Sequence, residues 1–427
     1  MMFKRAVSFG PAVRPRSHPR RGTFALEPVE ALPRLSERIA HLAKRSLEAN
    51  PFFLPEFLEP AIHALGSRNL RLAVFSDRED IRFFAPVLVT SGRFFRGRAF
   101  RVWTHPYAPL GTPLIDRDMV PLVTDSLIRH MRTSGRTLLL IPDFPLQGPT
   151  SEALRMAAAR RGFWTEAGRQ MRPILHPRSA GGLAGFDRMV SAKRRRELDR
   201  QLRRLCDTGS VSFMSAHTPT EIEAAFNMFT ALEASGWKGR GGSALLRRGR
   251  VHEFARIAVM QLAQNGHSTI DVMRVGDRPI AALIRFEQQG LSIPWKIAFD
   301  EGFAVFSPGK QLMCDETRRW LLDPEIERVD PVCEEDNPLM APLWPEREPH
   351  GTLLLSSRRF GLGARVRARL IDVKRAAARR ARRFLGAGWR SRSPVSRRPR
   401  KPRTRAEERP GSTRRRSRRT GLPSGAG

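Results

Sequence analysis

Residues 291–322 read LSIPWKIAFDEGFAVFSPGKQLMCDETRRWLL. The stretch from Leu291 to Phe299 is rich in aliphatic and aromatic residues and predicts a strand, and Lys310 to Leu322 predicts a helix closed by Asp323-Pro324. Between them stands Ser307-Pro308-Gly309-Lys310. A glycine at such a turn lets the backbone come close to a pyrophosphate, and the helix that follows points unpaired N–H groups and its positive dipole end at the anion. Lys310 adds a mobile positive charge. Ser307, Pro308, Gly309, Lys310 and Gln311 are therefore the candidate phosphate-binding residues. Ser-Pro-Gly-Lys is also a common β-turn sequence, so a plain turn stays open.

Working outward, Gln289-Gly290 is a turn, and strands are expected at Ile280 to Gln288 and Thr269 to Val275 with Gly276-Asp277 between them. A helix from His252 to Gln264 is closed by Asn265-Gly266, and a loop carries Trp237, Gly239, Gly241 and Gly242. Thr218-Pro219-Thr220-Glu221 is a capping-box start for a helix whose Ile222, Ala225, Phe226, Phe229 and Leu232 share one face. Before it, Ser191 to Leu205 reads as a helix with Lys193, Arg194, Arg195 and Arg196 crowded at its start. Cations at the positive end of a helix dipole suggest an anionic partner, with a solvated face as the alternative. Downstream, strands are expected at Ile326 to Val332 and Thr352 to Leu355. These elements make a unit over residues 186–356.

A first α/β unit is expected over residues 31–176. Leu35, Ile39, Leu42 and Leu47 keep helical spacing, and Asn50-Pro51 separates them from a second helix with Phe57, Leu58, Ile62 and Leu65. Leu70 to Phe75 and Ile81 to Val89 form a hairpin through Asp77 to Asp80, followed by a strand near Phe100 to Trp103 and a Pro/Gly loop from His105 to Pro113. A helix from Asp118 to Met131, a strand from Thr137 to Ile141, a helix from Ser151 to Arg161 and a strand from Phe163 to Leu175 complete a β-α-β pattern. His176 to Gly185 reads as the linker.

The formal charge of the 427 residues is +34, and its distribution decides what it means. From Arg358 to the end, 25 Lys/Arg stand against Asp372, Glu407 and Glu408, and the first 22 residues add six cations and no acid. Residues 23–357 then carry only +6, so a basic nucleic-acid-binding core is not indicated. Residues 1–30 read as a disordered basic leader, because Glu27, Pro28 and Glu30 follow Arg20-Arg21 where a signal peptide needs an apolar core. Residues 357–390 read as a basic amphipathic helix with Val366, Leu370, Val373, Ala377 and Phe384 as its apolar stripe, and 391–427 as an Arg/Pro/Ser-rich disordered tail. The three cysteines, Cys206, Cys314 and Cys333, have no metal or disulfide spacing, so no metal is expected. No apolar run approaches the roughly 20 residues of a membrane span, and a soluble, cytoplasmic protein is expected, peripheral to the inner membrane if its basic tail meets anionic lipid.

Several stretches carry a family resemblance. Trp295-Lys296-Ile297-Ala298-Phe299-Asp300-Glu301, then Ser307-Pro308-Gly309 opening a helix, then Asp336-Asn337-Pro338 with Leu343-Trp344-Pro345, resemble the CelD-type GNAT acyltransferases linked to polysaccharide (cellulose) biosynthesis. Upstream, Lys193 to Leu198, Asn50-Pro51-Phe52-Phe53 and Tyr107 to Leu114 extend the resemblance to residues 32–356. Such chains are also similar to FemAB peptidoglycan transferases. The resemblance implies an α/β fold with mixed sheets, built as two tandem GNAT-like units. It implies an acyltransferase using acetyl-CoA or another acyl-CoA, with a small-molecule or glycan-precursor acceptor from the cell envelope or an exopolysaccharide. The FemAB likeness implies aminoacyl-tRNA as the alternative donor.

Acyl transfer to an amine needs proton removal and stabilisation of a tetrahedral oxyanion. Asp300 and Glu301, at the strand end, are the candidate bases or else solvated loop acids. Lys296 is a candidate to hold a carboxylate or sugar phosphate of the acceptor, or else lines the exposed edge of the strand. Trp295 is a candidate for the pocket wall or else a core residue, and Glu334, Asp336 and Lys193 are candidates for substrate contacts. Cys314 is expected in the core. For the tail, an anionic membrane surface, nonspecific nucleic acid and simple solubilisation stay open, and a catalytically inactive nucleic-acid-binding protein is the reading from another class.

Overall fold

The computed structural model describes residues 22–91, 98–135, 137–236, 245–247 and 249–390. The leader up to residue 21, the glycine loop at 237–244 and the tail at 391–427 lie outside them. Contacts divide the chain into one compact unit, Met1–Arg375, and a C-terminal one, Ala376–Gly427.

The first element among the described residues is strand β1 (Thr23–Glu27), which corrects the expectation of a disordered leader for these residues. Phe24 explains the strand: it sits on Phe75 and Phe83 with centroids 5.1 and 5.4 Å away, while β1 pairs antiparallel with the next strand. Helices α1 (Leu32–Lys44) and α2 (Pro55–Leu65) follow as expected, each with proline in its first turn, where the missing N–H costs nothing. Asn50 joins them, its side-chain oxygen accepting from Phe52 N and its amide donating to the carbonyls of Leu110 and Thr112. It thereby fixes the loop from His105 to Pro113.

Strands β2 (Leu70–Asp77), β3 (Asp80–Ser91), β4 (Arg98–Val102) and β5 (Leu114–Ile115) lead to α3 (Val120–Thr133), β6 (Leu138–Pro145), α4 (Pro149–Arg161) and β7 (Phe163–Pro173). The expected linker at 176–185 is instead largely helical, as α5 (Pro177–Ala180) and α6 (Gly182–Met189). Gly181, left-handed at φ +82°, breaks them apart, and Phe186 is buried below.

Then come α7 (Ala192–Cys206), β8 (Val211–Ala216), α8 (Pro219–Ser235), α9 (Gly249–Gln264), β9 (Ser268–Val275), β10 (Arg278–Gln288) and β11 (Leu291–Phe299). The capping box at Thr218 and Glu221 is present in full. Strand β8 was not expected, because its VSFMSA sequence pairs along one edge only and stays half-buried. The chain closes with α10 (Pro308–Leu322), β12 (Arg328–Val329), β13 (Arg347–Ser356) and α11 (Leu362–Arg390).

Among the described residues, two sheets form, ordered β1-β2-β3-β4-β6-β13-β7, with β5 beside β3, and β12-β11-β10-β9-β8. Each contains one parallel pair, β4 with β6 and β11 with β12, with a loop and a helix between the partners in both cases, the first loop also carrying the two-residue β5. This repeated strand, loop, helix, strand order is the tandem organisation expected from the resemblance, in a mixed α/β fold. One strand is displaced from its expected place. The segment Thr352 to Leu355, read as the last strand of the second unit, enters the first sheet as β13 between β6 and β7. Its Leu353, Leu354 and Leu355 are buried, as befits a central strand covered on both faces. The expected strand at Ile326 to Val332 shortens to two residues because Pro331 cannot donate to a ladder.

Candidate functional site

β11 and β12 are paired only at Leu291 with Arg328 and Ser292 with Val329, and beyond that point they part. The separation leaves a cavity of about 620 Å³, walled on one side by Pro294 to Ile297 and Phe299 and on the other by Pro331, Val332, Cys333 and Asn337 to Met340. Ser307, Pro308, Gly309 and Lys310 close one end, and Pro106 and Pro109 of the first half cover another. A volume of this size is ordinary for a small-molecule or cofactor site.

A bulge shapes the β11 wall. Ile284 pairs with Lys296 but Arg285 with Pro294, so Trp295 has no cross-strand partner on β10. Such a bulge bends the strand and re-aims its side chains. The Trp295 ring lies on Phe286 at 4.9 Å, and its Nε1 donates to the Tyr107 carbonyl oxygen at 2.8 Å. Lys296 Nζ stands 5.0 Å from the Tyr107 ring centroid and 5.5 Å from that of Trp295, a cation held over aromatic faces at the cavity wall.

The opposite wall is set by a buried ionic knot. Asp330 is fully buried and accepts from Arg172 of β7 at 3.2 Å, with Nε2 of His350 of β13 at 3.3 Å. Burial alone would raise its pKa, but Arg172, His350 and Arg328 together hold the carboxyl far below the usual range. Asp330 also accepts from Val332 N at 2.8 Å, and Val332 adopts φ +43°, a left-handed conformation that a β-branched residue takes only under constraint. The knot thus ties the cavity wall to strands of the first sheet.

At the helix end, Ser307 is left-handed at φ +54° and opens α10 through Pro308. The N–H groups of Lys310 and Gln311 turn back onto the Ser307 carbonyl, and Pro308 has none, so Gly309 supplies the amide that can face an anion. A Cβ on Gly309 would stand 3.4 Å from Phe299 and 3.7 Å from Ile297. Beside this turn, Lys193, Arg194, Glu197 and Gln201 of α7 line a second hollow of about 450 Å³ together with Ser307 and Lys310. Two of the crowded cations that the dipole disfavours, Lys193 and Arg194, thus face the same turn as Lys310.

The structure brings Trp295, Lys296, Ser307, Pro308, Gly309 and Lys310 to the main cavity and Lys193 to the adjoining hollow. It sets the remaining candidates off the cavity wall. Asp300 pairs with Arg278 at 2.6 Å and caps the turn by accepting from Gly302 N. Glu301 lies beside Gly236. Gln311 is buried, its amide donating to the Leu198 carbonyl at 2.8 Å, so it fastens α7 to α10. Glu334 and Asp336 are exposed on the loop that leads to Asn337. Among the described residues no carboxylate lines the cavity, and its titratable side chains are Lys296, Lys310 and Cys333, whose thiol burial pushes up to about 12. Glu316, which burial and Asp271 push up to about 8, sits with Arg285 and Arg319 away from the cavity.

Sequence reasoning missed Pro106, Pro109 and the Pro331 to Cys333 wall. A signal existed in the first case: Tyr107 is the only tyrosine of the chain and stands in a loop of three prolines and a glycine.

A profile of the acetyltransferase (GNAT) domain family matches residues 192–337. No curated protein matches this sequence. Among solved structures, the chain is similar to a conserved protein of unknown function from Bacteroides thetaiotaomicron, at 13% identity over 78% of this chain and 100% of that one, TM-score 0.49. It is similar to L-PGS from Bacillus licheniformis at 13% identity over 78% and 96%, TM-score 0.47. It is similar to FemX at 8% identity over 75% and 96%, TM-score 0.49. With the parted parallel strands and the helix start between them already in place, residues 192–337 are a GNAT acyltransferase domain.

Proposed function

We propose that the protein transfers an acyl group, acetyl first among them, from acyl-CoA to an amine or hydroxyl of an envelope or exopolysaccharide precursor. The observation that carries the donor half is the cavity of about 620 Å³ opened where β11 and β12 part, with Gly309 and Lys310 at one end and Lys296 on its wall. The donor's thioester supplies the activated carbonyl. Gly309 N–H and Lys310 hold its phosphates, and the apolar walls of Ile297, Phe299, Leu339 and Met340 exclude water from its arm.

Lys296, desolvated over two aromatic rings, balances the negative charge that develops on the carbonyl oxygen when the acceptor nitrogen or oxygen adds to it. The carbon–sulfur bond then breaks and the sulfur leaves with the proton. Among the described residues no carboxylate lines the cavity, and that proton passes through water or directly to the leaving sulfur. The acceptor enters from the side of Pro106 and Pro109. Its identity as a glycan precursor rests on the CelD-type motifs at Trp295 to Glu301 and Asp336 to Pro345.

A second reading, aminoacyl-tRNA as donor, is favoured by the hollow that joins Lys193 and Arg194 to Ser307 and Lys310, since a polyanion would use that face. Calorimetric titration of the full chain with acetyl-CoA, beside a filter-binding assay with charged tRNA, separates the two. Saturable acetyl-CoA binding weakened by Lys310→Gln supports the first reading. Absent acetyl-CoA binding together with tRNA-dependent transfer replaces it with the second.

A further inference from the structure

Over residues 362–375, helix α11 is apolar on two opposite faces, and only one of them is covered. On the covered face Ala364, Ala368 and Ile371 pack against Leu138, Ala167 and Leu354 of the first sheet. The orientation is locked at Gly168: its N–H donates to Asp372 at 2.6 Å, and its carbonyl accepts from Arg375. The opposite face therefore has a fixed direction. It carries Leu362, Val366, Leu370 and Val373, exposed by 72, 44, 44 and 66%. At spacings of four, four and three residues they fall within roughly 80° of helix circumference, one continuous stripe.

The stripe is concentrated. Five of the eleven large apolar side chains exposed among the described residues lie between Phe360, 84% exposed, and Val373. Scattered exposed apolar residues need no explanation, but an ordered stripe on an anchored helix does. Its borders are cationic: the same helical geometry places Arg365 and Arg369 along one side and Arg367 and Lys374 along the other. Residues 358–375 hold seven Lys/Arg and a single acid, Asp372, and the sequence after them adds eighteen more cations against Glu407 and Glu408.

We propose that this face of α11, from Leu362 to Val373 together with Phe360 just ahead of the helix, is a docking surface for an anionic lipid bilayer. Lipid is the one partner class that uses both halves of the pattern. The stripe enters the boundary between headgroups and acyl chains, and the bordering guanidinium groups meet lipid phosphates. A nucleic acid would engage the arginines and leave the stripe in water. A second copy would cover the stripe only by setting two strongly cationic borders against each other. No helix among the described residues is long and apolar enough to cross a membrane, so the contact is a surface one. This inference is independent of which donor fills the cavity. It makes the protein a peripheral enzyme that works beside its lipid surface.

The test is flotation of the full chain with vesicles of phosphatidylglycerol and phosphatidylcholine, and with phosphatidylcholine alone. The wild type is expected to float with the first and not the second. The triple substitution Val366→Ser, Leu370→Ser, Val373→Ser should lower its partition at least about tenfold without changing the melting temperature, since it removes apolar area that only the bilayer covers. Equal flotation of the triple variant overturns the proposal, because tail charge alone then accounts for binding. So does failure of the wild type to float, or equal flotation with neutral vesicles. Loss in the triple variant of a wild-type dimer seen by sedimentation, or of tRNA binding seen by gel shift, assigns the stripe to those partners and overturns it too.

Discussion

Trp295 Nε1 donates to the carbonyl oxygen of Tyr107 at 2.8 Å, across 188 residues of sequence. One partner is the bulge residue of β11 and the other belongs to the loop of the first half that covers the cavity. The bond fixes how the two halves share one site. Trp295→Phe keeps the ring on Phe286 but removes the donor to the half-buried Tyr107 carbonyl, at a cost of about 1 kcal/mol. Hydrogen exchange should then speed up at the backbone amides of residues 107–111 while the β2–β3 hairpin stays unchanged. Unaltered exchange in the loop would show that the loop is held by Asn50 alone.

The Asp330 knot predicts a larger effect. Asp330→Asn leaves the fully buried Arg172 without its counter-charge, beside His350 and Arg328. Breaking one partner of such a group costs about 3–5 kcal/mol, to be read as a shift of the urea midpoint at constant slope. Because the same carboxylate holds Val332 in its left-handed turn, cavity binding should weaken as well.

His105 supplies a pH dependence. It lies among Phe57, Trp103, Tyr107 and Phe254, and burial lowers its pKa to about 4. Its Nδ1 accepts from Tyr107 N, which requires that atom to be unprotonated. In the unfolded chain it binds a proton near pH 6.5, so its contribution to stability is present above that pH and is lost as pH falls toward 4. The loss is on the order of 2–3 kcal/mol. Denaturation midpoints measured through this window should drop for the wild type and stay flatter for His105→Gln. Parallel curves would contradict the assignment.

The thiols should differ sharply in reactivity. Cys314 is buried in the core behind α10, as its place early on that helix led us to expect, and burial raises its pKa to about 11; Cys206 is exposed. Iodoacetamide at pH 8 should label Cys206 and spare Cys314 and Cys333 in the folded protein, as read by mass spectrometry. Cys314→Ala should leave transfer intact. Its loss would instead make Cys314 a nucleophile.

Legibility followed locality. The hairpin at Asp77 to Asp80, the Thr218 capping box and the strand-turn-helix at Phe299 to Lys310 are each specified by residues adjacent in sequence, and each stands where expected. β13 was readable as a strand but not as a member of the first sheet, since its partners lie about 200 residues away and strand pairing leaves no mark in a short apolar run. Trp295, Lys296 and the Ser307 turn could be found because they share one stretch. The opposite wall could not, because Val332 reaches it through a buried charge cluster that joins β7, β12 and β13. Asp300 and Glu301 looked like bases from their position at a strand end, whereas Arg278 and Gly302 already engage Asp300.

We propose that the opening between β11 and the Pro331 to Met340 wall holds an acyl donor whose phosphates meet the Ser307 turn. A crystal of the full chain soaked with acetyl-CoA tests it most directly. Pyrophosphate density is expected within hydrogen-bond reach of Gly309 N and Lys310 Nζ, with the thioester beside Trp295 and Lys296. Acetyl-CoA bound elsewhere, with this cavity left empty, would contradict it.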